Sequence, residues 1–168
     1  MTIHVNHDGV QTWTTKDKTA WGHGPWLQEP DKVQWIDPAT NLDCLAVRGP
    51  MGVWCGYVGL PPGHPLHGKK YDVVEGLVPE LEVHGGLTFS DRCTEDLPEG
   101  EGVCHIPEPG RPTDVWWLGF DCGHGQDYIP SMPETLRAAI GLLPEPRYRT
   151  LDYCRAEVTR LAGQLDDR

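Results

Sequence analysis

Glycine and proline together supply 36 of the 168 residues, 20 of one and 16 of the other, and that density constrains the fold more than any other feature of the sequence. Proline removes a backbone donor, and glycine removes the side chain that holds φ negative, so neither propagates regular structure well. The chain must therefore be cut into short elements joined by structured loops. Its length suits one hydrophobic core and not two, which makes residues 1–168 a single domain. The expected class is α+β: a mainly antiparallel sheet with long irregular Gly/Pro-rich loops and two C-terminal helices, the last packing on the sheet.

The first forty residues carry four tryptophans, at 13, 21, 26 and 35, among glycines, prolines and charges without clear periodicity. Residues 1–41 read as an irregular Trp-rich segment draped over the core, with short strands at most. From Leu42 the pattern sharpens, and the sheet with its loops is expected over 42–128. LDCLAVRG and GVWCGYVGL are rich in β-formers and are separated by Gly49-Pro50-Met51-Gly52, a turn suited to a hairpin. Leu60 to Lys69 holds too much proline for regular structure. Leu81 to Phe89 reads as a strand interrupted at Gly85-Gly86, and Asp114 to Asp121 as a central strand, apolar on both faces. A helix is predicted over 131–143, where Ser131 followed by Glu134 has the form of a capping box and Pro133 suits a first turn. A second is predicted over 150–166, where Leu151, Cys154, Val158, Leu161 and Leu165 line one face. Packing on the sheet is the expectation for that face; a coiled-coil homodimer is the rival and lacks the three or four heptads it would need.

No stretch approaches the roughly 20 apolar residues of a membrane-spanning helix, and the N-terminus has neither the basic start nor the apolar run of a secretory signal. A cytoplasmic protein with no membrane partner is expected. A formal net charge of −11 disfavours nucleic acid, because the field of the whole molecule repels a polyanion. A small-molecule ligand remains as the expected partner. The six cysteines, at 44, 55, 93, 104, 122 and 154, never form a CxxC pair, so most are expected to be free thiols, several of them buried. Cys93 and Cys104 flank a polar segment and could either pair or share a zinc ion if further ligands arrive from elsewhere.

Chemistry-bearing residues gather in Glu82-Val83-His84-Gly85-Gly86-Leu87-Thr88 and in Asp121-Cys122-Gly123-His124-Gly125-Gln126-Asp127, each at or just past a predicted strand. Strand ends hold the backbone rigid while the adjoining loop frees side chains to meet a ligand. Two imidazoles and a carboxylate suit Zn²⁺, Fe²⁺ or Mn²⁺ and leave open positions for water, so His84, His124 and Asp121 are the candidate metal ligands, with Asp127 as the alternative carboxylate. Such an ion would lower the pKa of a bound water. Glu82 or Asp127 would move protons, Gly85 and Gly86 would let substrate approach the backbone, and Thr88 would add a contact. The competing reading is structural: the aspartates cap backbone amides and the histidines donate hydrogen bonds in a tight loop. His64 and Lys69, with His67, Lys70 and Tyr71 nearby, are weaker candidates for binding an anionic ligand. Cys122 is a candidate nucleophile, with packing as its bland alternative. His4, His7, His23 and His105 have no partner that spacing identifies, and Trp116-Trp117 reads as core.

Four segments carry a resemblance: Gly56 to Pro65 (GYVGLPPGHP), Leu81 to Thr88 (LEVHGGLT), Trp117 to Asp127 (WLGFDCGHGQD) and Tyr153 to Val158 (YCRAEV). Over roughly residues 42–165 the chain resembles a group of small proteins encoded by phages, prophages and actinobacterial genomes. The resemblance implies a viral origin, hence a host cytoplasm, and implies no activity. Three functions follow from the residues themselves. The first is a metal-dependent hydrolase of a small polar or nucleotide-like molecule. The second is a phage-encoded protein that sequesters a ligand without turnover, and the third is a structural or interaction domain.

Overall fold

Strand formation begins earlier than the composition of the first forty residues suggests. The computed structural model describes residues 2–6, 8–141 and 145–166. Strands β1 (Thr2–Val5) and β2 (Gln11–Thr14) form a hairpin, with Asn6 Oδ1 accepting the N–H groups of Asp8 and Val10 at its turn. β3 (Lys32–Ile36) then pairs with β2. The strands of residues 1–41 are short, as expected, but they belong to the main sheet, which the sequence pattern announces only from residue 42. Period-two alternation is masked in β3 because both its faces are covered: Val33 and Trp35 enter an apolar core, while Lys32 and Gln34 are buried among loop carbonyls on the other side.

The predicted hairpin forms as β4 (Asp43–Arg48) and β5 (Trp54–Leu60), in register from Asp43↔Gly59 to Arg48↔Trp54. The proline-rich loop after it leads into a short helix, α1 (Tyr71–Leu77), which the sequence pattern does not announce. β6 (Phe89–Asp91) and β7 (Trp116–Asp121) complete a seven-stranded sheet of order β1-β2-β3-β4-β5-β7-β6 in which every neighbouring pair is antiparallel. The strand expected over Leu81 to Phe89 is largely absent. Gly85 and Gly86 have φ of 68° and 81°, a left-handed pair that turns the chain instead of extending it, and pairing resumes only at Phe89.

Both faces of the sheet are covered. On one, Val33, Trp35, Cys44, Ala46, Trp54, Val58, Leu60, Leu118 and Phe120 pack against α3 (Leu151–Asp166) through Cys154, Val158, Leu161, Ala162 and Leu165, the apolar face foreseen for that helix. Gly56 lets α3 approach closely, since a Cβ there would lie 2.5 Å from Val158 and 2.6 Å from Phe120. On the other face Leu45, Val47, Tyr57, Val115 and Trp117 lie under the 92–113 loop, which carries a Cys93–Cys104 disulfide. Cys44, Cys55, Cys122 and Cys154 are free thiols. The capping box does not form, because α2 (Glu134–Ile140) begins after Pro133 with no side-chain cap and ends at a left-handed Gly141. No described helix is long and apolar enough to cross a membrane.

Candidate functional site

α3 starts where Thr150 Oγ1 accepts the Tyr153 N–H and Glu29 accepts the Leu151 N–H, so its first turn is held both by its own chain and by the N-terminal region. That turn presents Tyr153 beside the two loops singled out in the sequence. The glycine turn at 85–86 brings His84 alongside it, and β7 delivers Asp121, His124 and Asp127 from its C-terminal end.

His84 and His124 converge, their ring centroids 5.7 Å apart. His84 Nε2 donates to Asp127 Oδ2 at 2.7 Å, and the Tyr153 hydroxyl meets His84 Nδ1 at 2.7 Å. An ionised carboxylate only accepts, so Asp127 fixes the ring with its proton on Nε2 and its lone pair on Nδ1, toward the tyrosine O–H. Asp127 is buried and fully engaged: Oδ2 also accepts the His124 N–H at 3.0 Å, and Oδ1 accepts Arg149 Nε at 2.8 Å. Burial pushes the Asp127 carboxyl up, but the hydrogen bonds from Arg149, His84 and the His124 amide outweigh it and hold the carboxyl below its ordinary range. Arg149 lies with its guanidinium 4.8 Å from the Tyr153 ring centroid, and Asp127 raises its pKa further. Burial and the nearby Glu157 carboxylate raise the Tyr153 phenol.

The second pair is looser. His124 Nε2 lies 3.6 Å from Asp121 Oδ1, and the side chain is 37% exposed against 12% for His84. Asp121 is itself positioned by the Gly123 N–H and the Thr88 hydroxyl. Gly85 stands directly against the His124 ring, where a Cβ would overlap it. Glu157 of α3 accepts the His84 N–H at 2.8 Å, tying the turn to the helix.

Of the residues expected at the site, His84, Gly85, Thr88, Asp121, His124 and Asp127 are brought together, and Gly86 forms the turn. Glu82 is exposed and docks through its backbone N–H and C=O onto Gln164 of α3; because the segment is not a strand, residues two apart do not share a face, and Glu82 does not stand with His84 in the cluster. His64 donates to the Leu165 carbonyl, twelve residues or about 18 Å along α3 from Tyr153, and Lys69 uses its carbonyl to accept Trp116 Nε1. These two hold the proline loop and do not join the cluster. Cys122 is buried against Cys154 in the core, out of reach of a substrate. His7 lies outside the described residues. Tyr153, Arg149 and Glu157 join the cluster without having been read as site residues from the sequence. The polar series Tyr153, Glu157, Arg160 and Gln164, at helical spacing, is the signal that could have found two of them.

The expected metal set meets an obstacle: both ring nitrogens of His84 are in use. Among the described residues, the three-residue group whose donor atoms all lie within 4.8 Å of one another is Cys93, Cys104 and His105, a cluster that could hold a metal ion although its sulfurs are joined in a disulfide. Burial lowers the His105 pKa against an opposing pull from Asp43, which favours the neutral ring. No family model matches the chain, and neither a curated protein nor a solved structure matches it.

Proposed function

We propose that the His84–His124 cluster is an acid–base centre that hydrolyses a small polar, nucleotide-like molecule. One observation carries this reading: Tyr153 hydroxyl, His84 imidazole and Asp127 carboxylate stand in a hydrogen-bonded row, the order of a reacting hydroxyl, its base and the group that orients the base. His84 Nδ1 accepts a proton from the tyrosine, or from a water or substrate hydroxyl at its position, and Asp127 stabilises the imidazolium that results. His124, whose buried Nε2 lies 3.6 Å from Asp121 Oδ1 and has no hydrogen-bond partner among the described residues, is the second proton-transfer group, and Arg149 offers positive charge to an anionic substrate. A Zn, Fe or Mn ion on His84, His124 and Asp121 would first have to displace Asp127 or Tyr153 from an imidazole nitrogen, whereas proton transfer between Tyr153 and His84 follows a hydrogen bond already made.

The test is turnover of a panel of nitrophenyl esters, phosphoesters and nucleotides, with and without chelator, by the parent chain and by His84→Gln and Tyr153→Phe. Chelator-resistant hydrolysis that falls about a hundredfold or more in His84→Gln is the expected result. Chelator-sensitive hydrolysis, with bound metal lost from a His84→Ala, His124→Ala double variant, would transfer the reading to a metal-dependent hydrolase. Stoichiometric binding of a nucleotide without turnover would make the protein a sequestering one, in keeping with a phage-encoded product. Destabilised histidine variants with no ligand bound by the parent would leave a structural domain.

A further inference from the structure

On the opposite face of the sheet, we propose that Cys93, Cys104 and His105 form a redox-gated zinc site: the disulfide is its closed state, and the dithiol with the His105 imidazole is its binding state. The donor atoms lie within 4.8 Å of one another, so no large movement separates the two states. His105 is set up as a ligand. Its side chain is 1% exposed, and Nε2 donates to the Pro112 carbonyl at 3.2 Å, with Asp43 Oδ2 3.9 Å away. A carbonyl can only accept, so the ring proton resides on Nε2 and the lone pair on Nδ1. That Nδ1 is buried and has no hydrogen-bond partner among the described residues. A buried lone pair without a donor costs free energy, and a metal ion is a partner that would satisfy it, with the opposite nitrogen anchored as metal-bound imidazoles usually are.

The loop does not depend on the disulfide for its shape. Lys32 Nζ donates to the carbonyls of Glu99, Gly102 and Cys104, and Gln34 exchanges two hydrogen bonds with the backbone of Ile106 at 2.7 Å each. The Thr94 N–H reaches the Val103 carbonyl between the two cysteines. Opening the bond therefore leaves both sulfurs beside His105, and Trp117 Nε1, 3.4 Å from Cys93 Sγ, is placed to donate to a thiolate. Both cysteines are half-buried, open enough for a small thiol to enter, and the depression next to Cys93, lined by Asp91, Glu95 and Asp96 against one cation, Arg92, carries net negative charge that draws cations toward it.

The chemistry balances with a low-molecular-weight thiol as reductant. Two RSH give two electrons and two protons to the Cys93–Cys104 bond and leave as RSSR; Zn²⁺ then displaces the two thiol protons to solvent and takes two Zn–S bonds and one Zn–N bond. Three protein ligands leave one tetrahedral position for water. The site shares no residue with the His84 cluster, and its failure would not affect that reading.

The full chain is reduced with a phosphine, equilibrated with zinc chloride and dialysed; stoichiometric zinc is expected, against background levels in the same chain after diamide oxidation. Cobalt(II) added to the reduced chain should give thiolate-to-metal charge-transfer absorption and the visible bands of a tetrahedral ion. His105→Gln should keep the charge-transfer band and bind at least about tenfold more weakly. A Cys93→Ser, Cys104→Ser double variant should bind none. Equal zinc in oxidised and reduced chains, no tetrahedral cobalt spectrum, or retention of zinc by the double serine variant through the four remaining thiols would overturn the proposal. The cobalt spectrum of the unsubstituted chain decides the question even where a variant fails to fold.

Discussion

At Gly85 the absence of one methyl group holds two requirements together: a φ of 68° and close approach to the Nε2 end of the His124 ring. Gly85→Ala should cost about 1–3 kcal/mol by urea unfolding and should move the imidazole resonances of His124 in NMR spectra more than those of His105. Asp127 sets a second prediction. Because its folded carboxyl lies below the ordinary 3.8, its contribution to stability is present above that pH and is lost as pH falls through the lower folded value. Asp127→Asn should therefore be about 2 kcal/mol less stable than the parent at pH 7, with the difference closing as the pH drops below about 4. Denaturant midpoints across that range measure it. Asp121, His124 and Asp127 were legible in the sequence because ligand-type side chains cluster at and just past the end of β7, and His84 because it stands beside a glycine pair, although the strand expected around it does not form. Their roles were not, because His84 spends its nitrogens on Asp127 and on Tyr153, a residue 69 positions away that only tertiary contact supplies.

Periodicity decided which elements could be foreseen. The β4–β5 hairpin follows two runs of β-formers around a Gly-Pro turn, the apolar face of α3 follows spacings of three and four, and both form as read. α1 is a seven-residue helix after a proline loop, too short to show a repeat, and β3 hides its alternation by burying polar residues on its second face. The capping box at Ser131 fails because Pro133, not Ser131, precedes the first helical residue, so Ser131→Ala should change stability by less than about 0.5 kcal/mol, where a working cap would cost about 1. Gly56→Ala belongs to the same scale. A methyl 2.5 Å from Val158 and 2.6 Å from Phe120 must push α3 off the sheet, and we expect a loss of about 2–3 kcal/mol in urea unfolding, partly restored by Val158→Ala.

Arg48 joins parts of the molecule that the sequence left unconnected. Its guanidinium, wholly buried, reaches Asp31, Glu29, the Gly52 carbonyl, the Pro30 carbonyl and the Tyr148 hydroxyl, while Lys18 closes a second ion pair on Asp31. Glu29 also accepts the Leu151 N–H, so one charge network spans the segment before β3, the β4–β5 hairpin and the start of α3. Asp31 stays ionised there: burial pushes its carboxyl up, and Lys18 together with the amides of Lys16 and Thr15 pulls it below the ordinary value. Removing the Arg48 cation alone leaves Glu29 without its ion-pair partner and Asp31 with Lys18 only, so Arg48→Ala should cost about 3–5 kcal/mol, whereas a surface arginine such as Arg160 should cost under about 1. The network also predicts how the loss is distributed. If it makes these parts one cooperative unit, hydrogen exchange in Arg48→Ala should accelerate together in β2, β3 and the first turn of α3, including the Tyr153 amide beside His84. Acceleration confined to the β4–β5 hairpin would mean that the N-terminal strands and α3 are held to the sheet independently.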